Sequence, residues 1–263
     1  MTQPGKVLLI GSGPGDPELL TLRAVRMLAS ADVVVYDRLV SDPILQMAPK
    51  AARMISVGKC PKSHPVPQDE INEILYAQAS AGYTVARLKG GDPLIFGRGS
   101  EEAGYLMDRH IHVEYAPGIT AAQGVSCVTG VPLTHRGLAT GVQYVTGHRQ
   151  SNKVLDLDWK RLADPDTTLV VYMGVANIGQ IAVGLMTEGL SDQTPVLAVA
   201  NATTNKERRL VSKLGSIAHD IRSAEMGAPV LFIIGQVVSL YDAKSTSAIL
   251  ADLEAEMPAI AHA

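Results

Sequence analysis

An apolar run that closes on glycines and reopens as a helix constrains this chain more than any other feature. Lys6–Ile10 is such a run: Gly11, Gly13 and Gly15 follow it, Leu19, Leu20, Leu22, Ala24, Val25 and Leu28 recur at helical spacing, and Asp32–Tyr36 is a second run. Short apolar runs without polar alternation fit strands covered on both faces. The order strand, glycine turn, helix, strand is that of a parallel sheet with helical crossovers.

The alternation continues along the chain. Met54–Val57, Thr84–Leu88 and His112–Tyr115 read as strands, with helical patterns at Asp69–Ala81 and Gly99–Arg109. A second block has strand candidates at Val142–Thr146, Thr168–Tyr172, Pro195–Val199, Arg209–Leu214 and Pro229–Ile234, and helices near Ile178–Glu188 and Ser216–Ala224. Pro117, Gly118, Gly130 and Pro132 punctuate the stretch between the blocks, within which Thr120–Val128 has helical character. The expectation is an α/β chain of two domains, 1–117 and 118–244, with the boundary inside 117–141. Each domain should hold a mixed, mostly parallel sheet flanked by helices, with a ligand cleft between the two. Residues 245–263, Ala-rich with scattered acids, read as a C-terminal tail.

Composition agrees and excludes several roles. Of 263 residues 46% are hydrophobic and only 4% aromatic, the balance of Val-, Leu- and Ala-rich sheets under helices, and the length suits two cores better than one. A net charge of −3 argues against a nucleic-acid partner. The segment Arg38–Arg98, by contrast, holds eight Lys or Arg against five Asp or Glu, an excess suited to an anionic ligand. Cys60 and Cys127 form neither a CxxC pair nor a disulfide framework, and no metal site is visible. The first residues lack an apolar signal, and no run reaches the ~18 apolar residues of a membrane helix. The expected setting is cytoplasmic, with no membrane partner.

Two glycine runs carry the chemistry. In Gly11–Pro17, glycines permit unusual dihedrals and close ligand approach, while Asp16 can cap the next helix with Pro17 at its first position. The rival is a dinucleotide fingerprint, with Asp37 holding a ribose at the end of the second strand. Against it, Asp16 occupies the third glycine position, where a carboxylate would face pyrophosphate, and Pro14 lacks an N–H. A cofactor without phosphates fits better. The second run, Leu88–Glu102, again joins a strand to a helix: Gly90 and Gly91 allow close backbone approach, and Asp92 offers acceptors.

Together with Tyr36–Val40, Val57–Lys59, Pro117–Ala121, Pro132–Arg136 and Tyr172–Gly174, these runs resemble, in order and over nearly the whole chain, the signatures of the uroporphyrinogen-III C-methyltransferases within the tetrapyrrole methylases. The resemblance implies two α/β domains, a homodimer, and S-adenosylmethionine as methyl donor, leaving S-adenosylhomocysteine. It implies uroporphyrinogen III as substrate, methylated at two ring carbons to give precorrin-2. Cofactor contacts then fall on Pro14, Gly90, Gly91, Asp92, Ile95, Thr120, Ala121, Met173, Asn201 and Ala202. The substrate carries eight carboxylates, which assigns Arg38, Arg98 and Arg136, together with Met173, to substrate binding. Asp37 is the candidate proton acceptor and Lys59 a proton donor or carboxylate binder, while Arg98 with Glu101 would orient the reacting rings. A methylase for a later corrinoid precursor, for protein or for RNA, a nicotinamide-dependent oxidoreductase and a nucleotide sensor are the competing readings.

Overall fold

The structure is a computed structural model that describes residues 4–58, 66–148 and 155–241. Contacts divide the chain into two compact units, one ending at Gly124 and the other starting at Val125.

In the first unit the strands are β1 (Lys6–Gly11), β2 (Val33–Tyr36), β3 (Arg53–Ser56), β4 (Thr84–Lys89) and β5 (His112–Ala116). They form one sheet in the order β3-β2-β4-β1-β5, every pair parallel. The helices between them are α1 (Leu22–Ala29), a short α2 (Asp42–Leu45), α3 (Gln68–Ser80) and α4 (Gly99–Met107). Alternate residues of β1 enter two different cores. Val7 and Leu9 join Ile71, Leu75 and Leu106 from α3 and α4, whereas Leu8 and Ile10 join Ala24, Met27 and Leu28 from α1. Burial on both faces explains why β1 reads as a continuous apolar run.

The first helix begins later than the leucine spacing suggests. Asp16 accepts from the Glu18 N–H at 2.8 Å and caps only a 3-10 turn, Pro17–Leu19; Thr21 then caps α1 through the Ala24 N–H at 3.1 Å. Leu22 consequently lies on the exposed side of the helix.

The next helix, α5 (Ala121–Thr129), contains the division between the units. The second unit continues with β6 (Gly141–Thr146), α6 (Trp159–Leu162), β7 (Thr167–Tyr172), α7 (Ile178–Thr187), β8 (Pro195–Ala200), β9 (Arg208–Lys213), α8 (Ile217–Ser223) and β10 (Val230–Ile234). Its sheet, β6-β7-β10-β8-β9, is mixed, but only β6–β7 is a parallel pair; the other three are antiparallel. The mostly parallel expectation therefore describes the first sheet. In the second, β7 and β8 do run the same way, joined by α7, as do β9 and β10, joined by α8. Each of these crossovers skips one place, and an oppositely directed strand fills it. The β8–β9 link, residues 201–207, is too short for a helical crossover and returns antiparallel. Alternate residues of β7, β8 and β10 pack with Ile181, Leu185, Ile217 and Ile221 of α7 and α8.

Candidate functional site

Because every strand of the first sheet is parallel, the segments following β1 to β5 leave at one edge, where ligands bind in open α/β sheets. Pro14, Asp37, Arg38, Gly90, Gly91, Asp92, Ile95, Arg98, Glu101, Thr120 and Ala121 all lie on those segments. Those after β4, β1 and β5, three neighbouring strands, are packed backbone against backbone. Gly13 and Gly91 exchange N–H···O bonds of 3.2 and 2.7 Å, and the Ser12 N–H donates to the Lys89 carbonyl at 2.8 Å. A Cβ on Gly11 would stand 2.6 Å from the Gly118 Cα and 2.8 Å from the Gly91 oxygen. Only glycine fits there. This explains the glycines at 11 and 118, while Gly91 takes a positive φ of 69°; it also bears on ligand chemistry, because the Ser12 and Gly13 N–H groups are already satisfied and Pro14 has none, so these three positions offer no N–H to a pyrophosphate.

Asp92 fixes the loops to one another. One carboxylate oxygen accepts from the Leu94 N–H at 2.8 Å and the other from the Gly118 N–H at 3.0 Å. Its observed partners are thus backbone groups of the loops that would face the cofactor. Thr120 and Gln123 form a capping box at the start of α5: the Thr120 N–H donates to Gln123 Oε1 at 3.1 Å, and the Gln123 N–H donates to Thr120 Oγ1 at 3.3 Å. The Ala121 nitrogen would lie 3.9 Å from a Cβ on Gly91. Leu39, Leu94, Ile95 and Phe96 leave apolar surface exposed on the same segments.

Asp37 sits just beyond β2, its carboxylate accepting from the Leu39 N–H at 3.0 Å. Arg38 follows, its backbone so close to Gly58 that a Cβ there would meet the Arg38 nitrogen at 2.6 Å. Lys59 lies outside the described residues. Arg98, at φ 58, precedes α4 and is clamped by Glu101, Nε to Oε1 at 2.9 Å and Nη2 to Oε2 at 2.6 Å. That hydrogen bond holds the Glu101 carboxyl below its ordinary range. The pair is half exposed.

Sequence reasoning missed a buried charge cluster beneath this edge. Arg87 and Lys89 of β4 meet Glu102 of α4: Lys89 Nζ lies 2.7 Å from Glu102 Oε1, and Arg87 reaches both carboxylate oxygens at 3.3 Å. Gln68 of α3 donates to Glu102 at 3.2 Å. Burial, the largest influence, depresses the Lys89 ammonium pKa, and the neighbouring Arg87 adds to it. Burial pushes Glu102 up, but Arg87 and Lys89 outweigh it and hold the carboxyl below its ordinary range. The available signal was a pair of cations at alternate positions of an otherwise apolar strand.

In the second unit β6, β7 and β8 run the same way, so their ends also share an edge. The segments after β6 and β7 are backbone-packed: the Gly147 N–H donates to the Tyr172 carbonyl at 2.7 Å, and a Cβ on Gly147 would stand 2.6 Å from the Gly174 Cα. Asn177 Nδ2 donates to the Gly147 carbonyl at 2.6 Å. Met173, at φ 54 and half exposed, follows β7; Asn201, at φ 49, and Ala202 follow β8. Arg136 instead lies in the His135–Ala139 turn that leads into the other end of β6. Among the described residues no group of His, Cys, Asp and Glu has the grouping of a metal site, and no helix is long and apolar enough to cross a membrane.

The profile of the family Tetrapyrrole (Corrin/Porphyrin) Methylases matches residues 6–218. The chain belongs to the tetrapyrrole methylases. Within that family it is 55% identical over 236 residues to the uroporphyrinogen-III C-methyltransferase of Paracoccus denitrificans, covering 90% of this chain and 82% of that one. It is 47% identical over 236 residues to a siroheme synthase of Pseudoalteromonas atlantica, again over 90% of this chain but only 51% of that protein, so it spans about half of the relative. Among solved structures, the uroporphyrin-III C-methyl transferase of Thermus thermophilus complexed with S-adenosylhomocysteine is 42% identical, with a TM-score of 0.76 over 89% of this chain and 93% of that one.

Proposed function

We propose that this tetrapyrrole methylase is an S-adenosylmethionine-dependent C-methyltransferase that methylates two ring carbons of uroporphyrinogen III to give precorrin-2. The observation that carries this reading is the glycine edge of the first sheet, where the Ser12, Gly13, Gly91 and Gly118 N–H groups are taken by neighbouring loops. Such an edge suits a nucleoside and amino-acid cofactor and not a dinucleotide. The strand order β3-β2-β4-β1-β5 also departs from the dinucleotide-binding order, in which β1 is next to β2. The 55% identity to the Paracoccus enzyme supports the substrate.

When bound, the sulfonium supplies an electrophilic methyl. An electron pair of a pyrrole carbon forms the new C–C bond as the C–S bond breaks, and one proton leaves the macrocycle in each round. The chain's own residues position and deprotonate. In this reading Pro14, Gly90, Gly91, Asp92, Ile95, Thr120 and Ala121 from the first unit, and Met173, Asn201 and Ala202 from the second, contact the cofactor. Arg38, Arg98 and Arg136 bind substrate carboxylates, with Met173 beside the macrocycle. Asp37 accepts the proton, Lys59 donates one or binds a carboxylate, and the Arg98–Glu101 pair orients the rings. We place the enzyme in the cytoplasm as a homodimer.

Anaerobic incubation with uroporphyrinogen III and S-adenosylmethionine, followed by mass spectrometry, tests the reaction. Two added methyl groups are expected; an unchanged substrate mass in the presence of an active control enzyme refutes it. Asp37→Ala should abolish turnover while leaving S-adenosylhomocysteine affinity intact, and a normal rate in that variant removes the base assignment.

A further inference from the structure

The cluster under the first sheet's loop edge is unbalanced in charge. Arg87 and Lys89 are nearly wholly buried cations, and Glu102, fully buried, is the carboxylate they share. Gln68, which bonds to Glu102, and Asn72, which bonds to Gln68, are neutral. Glu101, which also feels Lys89, is already clamped by Arg98. Among the described residues, one other carboxylate comes within ion-pair range of these cations: Asp37, whose Oδ2 lies 3.9 Å from Arg87 Nη1. A surplus cation taken out of water needs a counter-ion, and the field of a charge buried on one side is weakly screened.

We propose that Arg87, Lys89 and Glu102 act together as a positioning device, whose single surplus positive charge has Asp37 as its counter-ion and holds that carboxylate directed at the end of β2. The inference rests on the reading of Asp37 as proton acceptor. None of the three side chains needs to touch the substrate. Arg87 is held by Glu102 and by the Leu88 carbonyl at 3.0 Å, so the charge it presents to Asp37 is fixed in place. The cluster also links β4, which carries the Gly90–Asp92 loop, to α4, which starts beside the Arg98–Glu101 pair.

Charge count separates this role from a merely structural one. Lys89→Met removes the surplus, yet leaves Glu102 bonded to Arg87 and Gln68. Lys89→Met combined with Glu102→Gln loses the ion pair but restores a surplus of one. Steady-state kinetics with uroporphyrinogen III and S-adenosylmethionine should show kcat reduced roughly tenfold in Lys89→Met, with both KM values and S-adenosylhomocysteine affinity unchanged, and most of that loss recovered in the double variant. An unchanged kcat in Lys89→Met overturns the proposal, as does a double variant at least as impaired as the single one. Asp37→Asn distinguishes the two levels of the argument. A normal rate there refutes the base reading itself, whereas a slow Asp37→Asn enzyme that Lys89→Met slows further by the same factor refutes only the coupling.

Discussion

Gly118→Ala tests the packing on which the site depends. A Cβ at this position would lie far inside contact distance of the Gly91 carbonyl oxygen and 2.8 Å from the Gly11 Cα, and both neighbours are backbone atoms that no rotamer change can move. Overpacking of this kind costs about 1–3 kcal/mol. Relief requires the loops to separate, which strains the Gly13–Gly91 pair at 2.7 and 3.2 Å and the Asp92–Gly118 bond at 3.0 Å, each contributing about 0.5–1.5 kcal/mol. The expected loss is about 3–5 kcal/mol. With a urea m-value of about 2 kcal/mol/M the unfolding midpoint falls by about 1.5–2.5 M. Gly104→Ala is the control: it lies inside α4, a Cβ there meets nothing within 4 Å, and alanine should stabilise by about 0.5–1 kcal/mol. Urea titrations followed by circular dichroism, paired with calorimetric S-adenosylhomocysteine binding, read both variants. A Gly118→Ala protein within about 0.5 kcal/mol of the parent would show that the three loops are not packed in this way.

Two other substitutions probe the polar framework. Asp92→Asn replaces one of two carboxylate acceptors by a donor that faces either the Leu94 or the Gly118 N–H; unfolding titrations should show a loss of about 1–3 kcal/mol, accompanied by weaker S-adenosylhomocysteine binding. Equal stability would mean that Asp92 does not tie the loops. Glu102 has its pKa lowered from the ordinary 4.5, so the unfolded chain binds more protons between the lowered value and 4.5. The stability it contributes is complete above that window and is lost as pH falls through the folded-state value. Thermal unfolding of the parent and Glu102→Gln from pH 7 to pH 3 should therefore show a gap that narrows on acidification. A gap independent of pH contradicts an ionised, paired Glu102.

The local elements were legible because their causes are local. The run Lys6–Ile10, the helical spacing over 69–81 and the strand of Thr84–Leu88 appear in the structure as β1, α3 and β4 within a residue or two. The glycine-rich candidate edge stood out for a related reason. Gly11 is crowded by backbone, Gly90 by the Leu39 side chain, and Gly91 takes a positive φ, so all three stand out in the sequence without any knowledge of what they face. A cap such as Asp16 is equally conspicuous, although its own turn proved to be a 3-10 turn, with Thr21 starting the helix proper.

Partners distant in sequence were decided only by the tertiary structure. That Gly11 is crowded by Gly118 and Gly91, and that Asp92 is satisfied by the Gly118 N–H, follows from β4 lying beside β1 and β1 beside β5, an order no periodicity encodes. The second sheet makes the same point, since helical crossovers fixed β7 parallel to β8 while leaving open which strand would lie between them. Arg87, Lys89 and Glu102 are ordinary charges when read along the chain. They become a buried, unbalanced cluster only because α3 and α4 cover that face of β4 and remove the water that would otherwise screen them. Local chemistry thus named the family and marked a candidate edge, whereas the electrostatic environment of that edge exists only in the assembled sheet, because burial depends on every element that packs around a residue.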